Sequence, residues 1–220
     1  MQIEGIIFDL DGTLIHTIDD IAGAANVMFS RNGLPTHDVP YYLNWIGSGA
    51  VKLIERALGA EVDRKQLMTY VSEFKEIYGS NLHDKSRVYD WIPELLDKLT
   101  ARGIKLSILS NKPHKLTEKV AHFYLSHWSF HPVFGHRDEV PRKPDPAGAL
   151  EIAKLMKVEP GRILFVGDSV NDILTAQAAG MIPVGVTWGY GRLVSQPVEG
   201  MSDLIEQPSD LLSKLSKTNA

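Results

Sequence analysis

An apolar run near the start of this chain, Ile6-Ile7-Phe8, ends at two carboxylates one residue apart, Asp9 and Asp11. So continuous a run suits a strand covered on both faces, as at the centre of a parallel sheet. Residues two apart in an extended segment point to the same side, so Asp9 and Asp11 face one site. Two like charges held together disfavour ionisation of at least one, unless a cation or a donor offsets them. Gly12 then permits a turn that a residue with a Cβ would resist. A strand that leaves the core on two carboxylates points to chemistry.

Three further runs of β-branched and aliphatic residues, at 105–109, 163–167 and 182–186, are bounded by turn signals. Between them, Leu95, Leu96 and Leu99 recur at helical spacing, as do Leu150, Ile152, Ala153 and Leu155. This alternation from Val88 onward predicts an α/β fold with a doubly wound, Rossmann-like parallel sheet. Residues 16–85 read differently, as helix after helix. Ile21, Ala24, Ala25, Met28 and Phe29 form one apolar stripe; Val51, Leu53, Ile54, Ala57 and Leu58 form another. A third places Leu67, Tyr70, Val71, Phe74, Ile77 and Tyr78 on one face. The expectation is a core domain of residues 1–15 and 86–220 that carries an inserted helical domain of residues 16–85. The hinges fall near His16 and at residues 83–87, and the chain is expected to fray from about Lys214.

The 220 residues are 44% hydrophobic and 23% charged, the balance of an ordinary globular protein. A net charge of −4 without a long basic run argues against nucleic acid as a partner. The absence of cysteine removes disulfides and thiolate metal sites and suits a reducing compartment. Asp9 interrupts the first apolar run too early for a signal or membrane segment. A cytoplasmic protein with no membrane partner is expected.

Ser110-Asn111-Lys112 follows the second strand. A hydroxyl there, ahead of a helix N-terminus, suits phosphate; a plain N-cap serine is the alternative. In Arg142-Lys143-Pro144-Asp145-Pro146 the prolines stiffen the approach of a candidate fixed cation, although in isolation the motif reads as a solvated loop lysine. In Val166-Gly167-Asp168-Ser169-Val170-Asn171-Asp172, a helix beginning near Ser169 would put Asp168 and Asp172 within one turn. Two carboxylates there suit a hard cation such as Mg²⁺. His122, His127, His131 and His136 lack the spacing of a zinc site. In an open parallel sheet ligands bind outside the carboxyl ends of the strands, so these groups should converge. Asp9, Asp11, Asp168 and Asp172 against Lys143 leave three net negative charges. A divalent cation is then required before a phosphate can enter.

In this order the four motifs resemble the haloacid dehalogenase-like phosphohydrolase superfamily, and the helical insert resembles its C1-type cap. Ser110-Asn111-Lys112-Pro113, Trp45-Ile46-Gly47-Ser48-Gly49-Ala50 and Val186-Thr187-Trp188-Gly189-Tyr190-Gly191 resemble the phosphoglycolate phosphatase branch. The resemblance implies Asp9 as nucleophile, forming an aspartyl-phosphate, Asp11 as general acid and base, and Lys143 as the catalytic cation. It implies phosphate binding by Ser110 with neighbouring Asn111 and Lys112. It also implies Mg²⁺ held by Asp9, Asp168, Asp172 and the backbone carbonyl of Asp11. The cap loop Gly47-Ser48-Gly49 would read the leaving group through its backbone amides, the alternative being a helix connection capped by Ser48. The implied function is hydrolysis of a small phosphorylated metabolite such as 2-phosphoglycolate. The alternatives are a β-phosphoglucomutase-like phosphotransferase, a pyrophosphatase, or a non-catalytic binding module. Three departures stand out. His16 and Thr17 replace an acidic residue and Ser, and Asp90-Trp91 replaces a Pro-Gly pair. Residues 44–50 hold no Arg or Lys for a substrate carboxylate, leaving Lys112, Lys52 or the amides of residues 47–49 to meet it.

Overall fold

Both faces of the first strand are covered: Ile6 and Ile7 are 0% and Phe8 is 1% exposed. A computed structural model of the chain describes residues 2–59, 62–82, 84–191, 193–201 and 203–215. His83, the first residue of the hinge expected at 83–87, and residues 216–220 of the tail expected to fray lie outside these residues; Lys214 itself ends a 3-10 helix of Pro208–Lys214. The elements run β1 (Gly5–Phe8), β2 (Ile15–His16), α1 (Ile18–Arg31), α2 (Val39–Tyr42), α3 (Ala50–Leu58) and α4 (Arg64–Ser80). They continue β3 (Arg87–Val88), α5 (Ile92–Ala101), β4 (Lys105–Pro113), α6 (His114–Leu125), β5 (Phe130–His136) and α7 (Ala147–Met156). Then come β6 (Ile163–Gly167), α8 (Val170–Ala178), β7 (Ile182–Val186) and β8 (Asp203–Ile205), followed by the 3-10 helix (Pro208–Lys214).

Six strands form one parallel sheet in the order β5-β4-β1-β6-β7-β8. The strand order reverses at β1, whose neighbours β4 and β6 lie on opposite sides. That is the topological switch point, where the carboxyl ends of the strands leave a crevice. On one face Ile7 and Phe165 pack with Ile152, Ala153 and Met156 of α7 and Ala176 of α8. The buried stripe of α7 is therefore Ala149, Ile152, Ala153 and Met156, while Leu150 and Leu155 are 43% and 47% exposed. Those two leucines do not belong to the core face expected of them. Two strands of the sheet, β5 and β8, were not among the four runs expected.

The backbone separates into two compact units, Met1–Ile15 with Val88–Ala220, and His16–Arg87. In the second unit α1 and α3 both pack on α4. The six residues of the third apolar stripe are the buried face of α4, and Asp63 caps that helix by accepting from the N–H groups of Lys65 and Gln66. Asp20, buried in the first turn of α1, accepts from the N–H groups of Lys85 and Ser86 and from the Ser86 hydroxyl. That ties the returning segment to the start of the insert. His16 Nδ1 lies 3.4 Å from Asp19 Oδ2 and 3.4 Å from Arg87 Nη1.

Candidate active site

Asp9 continues the β1 ladder, its N–H donating to the Val166 carbonyl at 2.9 Å, so its carboxylate emerges at the carboxyl end of the strand. Gly12 follows with φ +87°, and a Cβ there would run into the Asp168 carboxylate. Asp168 emerges next to it from the end of β6. Four residues on, Asp172 closes a capping box at the start of α8. Its Oδ2 accepts from the Ser169 N–H at 3.0 Å and from the Ser169 hydroxyl at 2.6 Å. Asp168 and Asp172 are 3% and 0% exposed. One oxygen from each of Asp9, Asp168 and Asp172 lies within 4.8 Å of the others.

Lys143 stands among them. Its Nζ is 2.9 Å from Asp9 Oδ1 and 2.6 Å from Asp172 Oδ1. At 6% exposure it is no solvated loop lysine. Burial works against its ammonium form, but Asp172 and Asp9 together outweigh that and hold Lys143 above its usual range. Burial pushes the Asp9 carboxyl up to about 8; Lys143 opposes the shift while Asp172 and Asp168 add to it. Burial and then Asp172 push Asp168 up to about 7, against the donated N–H groups of Gly191 and Tyr190. Both shifts have one meaning: three buried carboxylates share one ammonium and are short of positive charge. An all-oxygen donor set in that condition fits a hard divalent cation.

Asp11 has a different partner. Both of its carboxylate oxygens accept from Lys112 Nζ, at 2.8 and 3.0 Å. Ser110, 4% exposed, accepts at Oγ from the Lys112 N–H at 3.3 Å. The alternative in which Ser110 caps a helix does not hold: β4 runs on to Pro113, which is the N-cap position of α6, and α6 starts at His114, four residues beyond Ser110. The strand continues because it bulges. Leu109 pairs with Phe134 and Pro113 with His136, so Ser110, Asn111 and Lys112 pass opposite Gly135 alone. Asn111 turns its side-chain amide onto the Lys143 backbone, accepting its N–H at 3.0 Å and donating to its carbonyl at 3.1 Å.

Gly47, Ser48 and Gly49 belong to the helical unit, between α2 and α3. Gly49, not Ser48, occupies the N-cap of α3, and no side chain caps that helix. Gly47 has φ +98°, and a Cβ there would meet nothing within 4 Å, so backbone conformation rather than crowding favours glycine. Sequence reasoning assigned no role to the backbone of Tyr190 and Gly191, whose N–H groups reach Asp168 Oδ2 at 2.6 and 2.9 Å. The signal was the glycine-rich segment after β7. Trp188 in that segment donates from Nε1 to the Thr13 carbonyl at 3.1 Å. Among the described residues, no helix is long and apolar enough to cross a membrane.

Residues 3–180 match the family model of the haloacid dehalogenase-like hydrolases. The chain is 33% identical over 209 residues to a phosphoglycolate phosphatase of Psychrobacter arcticus, covering 90% of this chain and 91% of the relative. It is 36% identical over 197 residues to a phosphoglycolate phosphatase of Haemophilus influenzae (strain 86-028NP), covering 86% and 88%. It superposes with TM-score 0.88 and 31% identity on a crystal structure described as a predicted phosphoglycolate phosphatase from Haemophilus somnus 129pt, covering 98% of this chain and 99% of that one.

Proposed function

Because the chain belongs to the haloacid dehalogenase-like hydrolases and is a phosphatase of their phosphoglycolate-phosphatase-like branch, we propose that it hydrolyses 2-phosphoglycolate with Mg²⁺, through an aspartyl-phosphate on Asp9. One observation carries this reading. Three buried carboxylates, from the ends of β1 and β6 and the first turn of α8, meet around Lys143, with the Asp11–Lys112 pair two residues along from Asp9.

An Asp9 oxygen attacks phosphorus while the bond from phosphorus to the glycolate oxygen breaks, and Asp11 gives the departing oxygen its proton. Asp11 then takes a proton from the water that attacks the aspartyl-phosphate, which frees phosphate and restores the Asp9 carboxylate. Lys143 holds Asp9 in line and offsets charge gathering on the phosphoryl oxygens. Ser110 Oγ donates to one of those oxygens. Asp9, Asp168, Asp172 and the Asp11 carbonyl would hold Mg²⁺, which supplies the charge neutralisation a phosphate dianion needs in a carboxylate-lined site.

The substrate carboxylate needs a cation, and Lys112 is suited to it: its side chain is 4% exposed and already holds an anion. Lys52 is exposed and paired with Glu55. Residues 16–85 are assigned the part of a C1-type cap that excludes bulk water, with the amides of residues 47–49 meeting the leaving group. The lack of cysteine supports a cytoplasmic location. A phosphate-release screen with Mg²⁺ over 2-phosphoglycolate, sugar phosphates, nucleotides and pyrophosphate tests the reading. 2-Phosphoglycolate should lead in kcat/KM by about tenfold or more; a sugar phosphate or pyrophosphate in first place would refute the substrate assignment.

A further inference from the structure

The Lys143 ammonium must touch two carboxylates from different elements, Asp9 after β1 at 2.9 Å and Asp172 in α8 at 2.6 Å. A lysine has a long, flexible stem, so its head finds one such point only if its own backbone is fixed. Pro144 and Pro146 stiffen the chain after Lys143 but bond neither its N–H nor its carbonyl. Lys143 lies in the irregular stretch between β5 and α7, outside any strand or helix that would set its backbone by a regular ladder. Without such a ladder, its backbone N–H and carbonyl must find partners elsewhere.

Asn111 supplies them. Its side-chain amide pairs with the Lys143 backbone at both ends, Oδ1 accepting the N–H at 3.0 Å and Nδ2 donating to the carbonyl at 3.1 Å. The geometry copies one rung of a β-ladder, made by a side chain across 32 residues of sequence. Asn111 is itself held by the bulge of β4 and is 7% exposed. Two hydrogen bonds to a buried, rigid strand are harder to displace than contacts in a solvated loop. We infer that Asn111 is a positioning residue: it fixes the Lys143 backbone so that the ammonium bridges Asp9 and Asp172, and its side chain is not a phosphate ligand. The inference rests on the proposed role of Lys143 in turnover.

Asn111→Ala removes both bonds, and Asn111→Ser keeps a polar side chain too short to span both partners. Acylation of lysines in the full chain by an N-hydroxysuccinimide ester, followed residue by residue by mass spectrometry, reads the position of Lys143 without any turnover. Lys112, whose side chain is as little exposed as that of Lys143, is the internal control for general loosening. In either variant the labelling rate of Lys143 relative to Lys112 should rise about tenfold or more, since lost burial and pairing uncover the amine. On p-nitrophenyl phosphate, kcat should fall roughly 10- to 100-fold, as expected for a misplaced charge-stabilising group. An unchanged labelling ratio overturns the inference, and a fall in kcat without a change in labelling does so by making Asn111 a direct contact of the phosphoryl group. If the wild type hydrolyses no ester, the proposed function fails, while the labelling ratio still decides where Asn111 acts.

Discussion

Replacing Asp9 by Asn should abolish turnover and, with metal chelated, raise stability. Burial lifts the Asp9 carboxyl from 3.8 to about 8, with Asp172 and Asp168 adding to the shift against Lys143. Between those values the native state keeps a proton that the unfolded chain has lost. Stability then falls as pH rises through that window, by about 1.4 kcal/mol per pH unit for one retained proton. From pH 5 to pH 7 the loss is roughly 3 kcal/mol from Asp9 alone. Asparagine has no such proton and keeps an Oδ1 to face Lys143. In excess chelator at pH 7 the variant should therefore exceed the wild type by up to that amount, about 6–12 °C in melting temperature for a chain of this size. Thermal melts of both proteins at pH 5, 6 and 7 measure the difference in slope, which removes the contribution of titrating groups not coupled to Asp9. Added Mg²⁺ should stabilise the wild type more than the variant, because a cation that binds only the folded state favours the full set of carboxylates. Parallel slopes, or a wild type at least as stable as the variant at pH 7 in chelator, would refute the charge argument.

Chelation should abolish phosphate release and Mg²⁺ should restore it, while Ca²⁺ restores it poorly because its higher, looser coordination does not suit the compact cluster; full activity in excess chelator contradicts this. Lys112→Met should raise KM for 2-phosphoglycolate roughly 10- to 100-fold, the cost of a lost charged hydrogen bond. It should change KM for ethyl phosphate, which has no carboxylate, far less, and equal changes would remove Lys112 from substrate recognition. Trp91, 65% exposed, sits at the N-cap of α5 with φ +66°, a backbone region that favours glycine. Trp91→Gly should relieve left-handed strain of about 1 kcal/mol and raise the melting temperature by about 2–4 °C; a lower melting temperature would show that the indole makes a contact worth more than the strain.

The fold was legible where burial was complete. β1 and β6 are apolar on both faces and so stand out against any neighbour. β5 did not, because Phe130–His136 carries two histidines, a proline and a glycine, and it pairs with β4 through register shifts. β8 is three residues long and has no pattern to read. In α7 the large leucines drew the helix face toward Leu150 and Leu155, yet the sheet takes the small side, Gly148 and Ala149, whose size lets Ile152 and Met156 pack closely.

The site divides in the same way. Asp9 and Asp168 are readable because a charge at the end of an apolar strand is costly unless it has a use. Lys143 owes its place to partners 29 and more residues away, so no local pattern announces it. Ser110-Asn111-Lys112 reads as one phosphate loop, but the bulge sends its side chains to separate tasks, with Asn111 on the Lys143 backbone and Lys112 on Asp11. That changes the charge balance. Counting Lys143 alone left three net negative charges. With Lys112 paired to Asp11, four carboxylates face two ammonium groups, and two negative charges remain. With all four carboxylates ionised, a single divalent cation would cancel those two, which fits the proposed Mg²⁺. A phosphate dianion then enters a neutral site rather than a repelling one. If its carboxylate draws Lys112 away from Asp11, it meets a cation the site already holds and needs no other.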